Sequence, residues 1–138
     1  MAPVKDTSFL YIKENMNPKG WKAGDCVIRA CAKATGKSWD ETYQELFNIG
    51  FKKKRLPNDD HVFEKFLFDN GFEYRGQMKD SYGNKMTVAE LANYYKDGNY
   101  ILVVHTRKHL TCIMFGDIID SWNTSYQIAG YYYIKEVS

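Results

Sequence analysis

A chain of 138 residues with 44% hydrophobic content can build one compact core and excludes two domains that would each need their own, so a single domain over residues 1–138 is expected. A 16% aromatic fraction, with 11 Tyr and 8 Phe, excludes disorder, while 19 basic against 17 acidic side chains leave +2, which neither demands nor excludes nucleic acid. Three cysteines, an odd number, fit free thiols in a reducing cytoplasm rather than a secreted disulfide framework.

Met1-Ala2-Pro3-Val4-Lys5-Asp6 lacks the basic-then-apolar order of a signal peptide, and no run approaches the ~18 apolar residues of a membrane helix. Phe9-Leu10-Tyr11-Ile12 reads as a short strand, ended by the turn-rich Asn15-Met16-Asn17-Pro18-Lys19-Gly20. From Asp25, apolar Val27, Ile28, Cys31, Ala32 and Ala34 predict a buried helix face, with Gly36 as its stop and Cys26 in its first turn.

Ser38 and Glu41 form a capping box for a second helix with the stripe Trp39, Tyr43, Leu46 and Phe47, expected to end at Gly50. Lys52-Lys53-Lys54-Arg55 then reads as solvated charge rather than a nucleic-acid surface. Pro57-Asn58-Asp59-Asp60 opens a third helix that buries Val62, Phe63, Phe66 and Leu67 and stops at Gly71, followed by a strand over residues 72–76. Thr87 and Glu90 make a second capping box for a short helix closed by Asp97-Gly98. The apolar period then changes from 3.6 to 2, predicting strands over residues 100–105, 109–115, 118–122 and 127–137, the first of them central. Helices followed by antiparallel strands make an α+β arrangement.

A thiolate needs a lowered cysteine pKa, which the unpaired amides and positive dipole end of a helix N-terminus supply. Cys26 has that setting after Gly24-Asp25, whereas Cys31 lies on the buried stripe and Cys112 in a core strand. Among three histidines, His61 falls in a polar first turn and His105 ends the central strand. His109 opens a strand behind Arg107-Lys108, where it could face the helix start and share a proton with Cys26. Cys26, Cys31, Cys112, His105 and His109 lack the paired spacing of a zinc site, and the glycines match no phosphate loop, so no metal or cofactor is expected.

The group that orients His109 is left between Asp120 and Asn123. A two-residue loop at Gly116-Asp117 pairs Phe115 with Ile118 and His109 with Thr124, which puts Asp120 on the face of His109 but ~13 Å along it. A three-residue loop, Phe115-Gly116-Asp117, sets Asn123 directly across from His109.

Cys26 opening a helix, His109 opening a strand and Asp120-Ser121-Trp122 ending the partner strand together resemble the papain-like cysteine peptidase superfamily. Papain-type enzymes carry Gly-Ser-Cys-Trp and Asn-Ser-Trp-Gly at these places. With Gly-Asp-Cys-Val and Asp-Ser-Trp-Asn, this chain is more similar to compact bacterial and phage members, including peptidase domains that process bacteriocin leaders. The resemblance covers residues 17–124. It implies N-terminal helices packed on a C-terminal antiparallel sheet, a peptide or protein substrate, and a Cys26–His109 dyad or triad completed by Asp120 or Asn123. It also implies an oxyanion held by the Cys26 amide, with Asn17 either assisting or serving the turn beside Pro18. The same site could serve an acyltransferase, a transglutaminase-like enzyme or a deamidase, and the same fold a catalytically silent phage-type binding protein.

Overall fold

A computed structural model describes residues 10–21 and 24–137 of the chain. Among them, ten elements follow in order: β1 (Tyr11–Lys13), α1 (Cys26–Thr35), α2 (Trp39–Lys53), α3 (Asp60–Asp69), β2 (Glu73–Arg75), α4 (Val88–Tyr94), β3 (Tyr100–Thr106), β4 (His109–Met114), β5 (Asp117–Asp120) and β6 (Tyr132–Glu136). Four helices and one six-stranded sheet make the α+β class. None of the described helices is long and apolar enough to cross a membrane.

The sheet runs β1-β5-β4-β3-β6-β2, so the apolar β3 lies in its middle as its composition predicts. It is mixed rather than wholly antiparallel, because β1 joins β5 in parallel, Tyr11 beside Ile118 and Lys13 beside Asp120. Phe9 of the expected first strand lies outside the described residues. Alternate side chains of β3 enter different cores. Ile101 and Val103 pack with α1 and α3, whereas Leu102 and Val104 pack with Val88, Leu91 and Ala92 of α4. α1 is buried almost all round, with Val27, Ile28, Ala30, Cys31, Ala32 and Ala34 within 8% of full burial, as suits a helix held between a sheet and two other helices.

Both capping boxes form, Ser38 with Glu41 and Thr87 with Glu90, and Gly36 ends α1 in the left-handed region at φ 73°. α2, however, runs through Gly50 to Lys53. Gly50 is helical, and a Cβ on it would strike the carbonyl oxygen of Arg55, so the glycine admits the returning chain rather than stopping the helix. Lys52 and Lys53 thereby occupy the last turn, where cations complement the helix dipole. The last strand begins only at Tyr132 because residues 124–129 serve α4 instead. Gln127 and Ser125 accept the amides of Val88 and Ala89, and Ile128 bridges Thr87.

Candidate active site

The start of α1 is held from behind by Asp25. Aspartate at an N-cap ordinarily accepts a first-turn amide, yet Asp25 makes no side-chain cap. Its carboxylate, 8% exposed with the rest of the residue, instead accepts from Asn17 Nδ2 at 2.8 Å, from Trp39 Nε1 at 3.0 Å and from Arg29 Nη1. The first-turn amides, Cys26 among them, are thus left without the side-chain acceptor that would compete with a ligand. Three segments, the Asn17 loop, α1 and α2, are tied at the residue preceding Cys26.

His109 arrives from the other side on two consecutive hairpins. β3 and β4 pair with Thr106 opposite His109, leaving Arg107-Lys108 as the turn, with Lys108 at φ 59°. β4 and β5 pair with Met114 opposite Asp117 and Ile113 opposite Ile118. The loop is therefore Phe115-Gly116, neither of the two loops that sequence alone offers. Both residues have positive φ, 55° and 87°, the requirement of a type I′ turn.

That placement decides the geometry. Continued, the register sets His109 across from Trp122 and brings Asp120 to the diagonal position, two residues away rather than four. Asp120 Oδ2 lies 2.7 Å from His109 Nε2, and its other oxygen accepts the Ser121 amide at 2.7 Å. The ~13 Å separation is corrected because moving the loop back by one residue shifts the pairing by two. Asn123 is not brought to His109. Its Oδ1 accepts from the Ser125 amide at 3.0 Å and from the Ser125 hydroxyl, a local turn that replaces the orienting role held open for it.

Cys26 and His109 line one cleft, near enough for each to shift the other's pKa, and with Nε2 engaged by Asp120, Nδ1 is the nitrogen left for the thiol. Burial pushes the Cys26 thiol up, but the His109 hydrogen bond, the Leu110 amide and the charges of His109 and Arg29 outweigh it and bring its pKa below the ordinary value. Burial also opposes a charge on His109, yet the bonds to Asp120 and Cys26 raise its pKa to about 9. The two shifts favour a thiolate–imidazolium pair. Trp122 covers one side of the imidazole, ring centroids 5.0 Å apart.

The remaining candidates fall elsewhere. Burial raises the thiols of Cys31, well above the usual range, and Cys112, to about 12, which leaves both as packing groups. Asn17 accepts the Lys19 amide through Oδ1 and gives one of its two amide hydrogens to Asp25, so its carboxamide supports both the turn and the helix start. His61 is exposed at the start of α3. His105 does line the cleft, stacked on Tyr131 at 4.6 Å, and burial lowers its pKa. Sequence reading missed Arg29, Trp39 and the Leu110 amide. Arg29 stands at the i+4 position from Asp25, which was the available signal. Comparison with protein-family models, curated proteins and solved structures gives no match for this chain.

Proposed function

We propose that this protein is a small papain-like thiol hydrolase, most simply a cysteine peptidase. What supports this reading is Cys26 and His109 on one cleft, His109 held by Asp120 at 2.7 Å, with the thiol pKa lowered and the imidazole pKa raised. The Cys26 thiolate attacks a carbonyl carbon, forming a C–S bond while the carbonyl electron pair moves to oxygen. The open amide of Cys26 stabilises that oxyanion. As the tetrahedral species collapses, His109 gives its Nδ1 proton to the departing amine, and the thioester remains. His109, now neutral, takes a proton from water, the resulting hydroxide attacks the thioester, and the thiolate returns as the acid leaves. Asp120 holds the ring so that Nδ1 faces the sulfur at every step.

The chemistry to this point is common to acyl transfer, in which an amine rather than water resolves the thioester. A panel of fluorogenic peptides should be cleaved by the wild-type protein, with activity lost by at least ~10²-fold in Cys26→Ala and in His109→Ala. Iodoacetamide at neutral pH should label Cys26 alone. Full hydrolysis in either variant, or a Cys26 thiol no more reactive than a free one, would sink the proposal.

A further inference from the structure

The face of α2 beside its buried Thr42, Leu46 and Gly50 carries a ladder of aromatics four residues apart. Trp39 stacks on Tyr43 at 5.2 Å, Tyr43 meets Phe47 at 6.0 Å, and Phe51 follows one turn on. Tyr43, Phe47 and Phe51 are 40%, 46% and 66% exposed, and Leu56 beside them is 71% exposed. Soluble surfaces keep contiguous apolar area of this kind for a partner.

The ladder borders the candidate site. A cavity of about 360 Å³ is walled by Val27, Ile28, Tyr43, Phe47 and Leu56 and opens beside Gly24 and Asp25, the residues just before Cys26. Val27 and Asn58 also line the cleft of about 280 Å³ that holds Cys26 and His109. In the other direction, Phe47, Leu56 and Pro57 continue into an open depression of about 680 Å³ that reaches Lys53. The three form one path from the thiol to the basic end of α2.

Charge on that path is selective. Lys53 and Lys54 line the depression and make no ion pair among the described residues, Lys54 resting over the Phe51 ring at 4.4 Å, while Arg55 there is paired with Asp59 at 3.0 Å. Two free cations beyond an apolar wall suit a pair of carboxylates better than a run of phosphates, which needs a continuous basic track.

Resting on the hydrolase reading, we infer that this path docks the substrate: an extended polypeptide with a bulky apolar side chain next to the reacting carbonyl and acidic residues farther along. From Tyr43 to Lys53 the helix rises ~15 Å, which an extended chain covers in about four to five residues. The apolar side chain enters the cavity between Tyr43, Phe47 and Leu56, and the carboxylates meet Lys53 and Lys54.

The test uses the full chain with Cys26→Ala, so that docking is read without turnover. Fluorescein-labelled peptides carrying Leu and, five positions away, Glu-Glu are compared by polarisation with Gln-Gln and Lys-Lys versions, with an Ala-for-Leu version, and with a ten-nucleotide single strand. The Leu/Glu-Glu peptide should bind at least tenfold tighter than the Ala and the Gln-Gln peptides, the charge preference fading as salt is raised. Adding Leu56→Asp should weaken it at least tenfold. Adding Lys53→Glu and Lys54→Glu should reverse the preference toward the Lys-Lys peptide, a gain that misfolding cannot mimic. Indifference to sequence, absence of peptide binding, or tighter binding of the oligonucleotide overturns the inference. Selective docking without cleavage by the wild-type protein would instead overturn the hydrolase reading and leave the docking path standing.

Discussion

At the scale of single residues, Asp25 and Arg29 form a buried charge pair whose side chains are 10% and 8% exposed, and Arg29 Nε has no partner among the described residues. Removing one member of such a pair strands the other charge. Asp25→Asn is therefore expected to lower the unfolding free energy by about 3 kcal/mol, read from the urea midpoint, with the double variant Asp25→Asn/Arg29→Met recovering much of it. His109 and Cys26 set the pH behaviour. The folded pKa of His109, about 9, lies above its usual 6.5, so the stabilisation of its charged form is complete below about 6.5 and disappears as pH rises through about 9. The Cys26 pKa is lowered, so its thiolate contribution is present above the ordinary thiol value and disappears as pH falls through the lowered one. A bell-shaped profile of kcat/KM with an alkaline limb near 9 is expected. In Asp120→Ala that limb should move to lower pH and kcat should fall ~10²-fold, as measured across pH 5 to 10. An unmoved limb would detach Asp120 from the imidazole.

Among the elements, the β4–β5 turn controls whether the relay can close. Phe115 at φ 55° has a conformation that disfavours a bulky side chain, and Gly116 at φ 87° has Lys96 packed where a Cβ would go, 2.9 Å from the Lys96 Cβ. Phe115→Asn should raise stability by about 0.5–1 kcal/mol with activity intact, whereas Gly116→Val should cost more than 1 kcal/mol, both read by thermal and urea unfolding. This turn was also where sequence reading went astray. The local signals of Ser38/Glu41, Thr87/Glu90 and Gly36 were legible because each acts within four residues. Phenylalanine is no turn former, so nothing local announced Phe115 as the first turn residue, and the packing around Lys96 that accepts Gly116 is tertiary. Gly50 misled for a similar reason: its role depends on Arg55 returning across the helix.

Across the whole molecule, the helix bearing Cys26 and the hairpins bearing His109 and Asp120 are joined through one shared core, in which α1 packs on β4 and β3. The Cys26 and His109 positions could be read from sequence since each begins an element whose pattern is strong. Asp25 as an anchor could not, because two of its three donors, Asn17 and Trp39, come from other segments.

The parallel partner of β5 gives this arrangement a further dependence. β1 is three residues long and among the described strands pairs only with β5, yet the Glu14 amide bonds the carbonyl of Asp120 itself at 2.8 Å and the Ile118 amide bonds the carbonyl of Leu10 at 2.7 Å. Peeling β1 away would turn the strand that carries Asp120 into a bare sheet edge, with its amides open to exchange and to pairing with another chain. The first dozen described residues thereby act as a selvedge: they touch none of the reacting atoms, but fraying there would run directly to the carboxylate that holds His109.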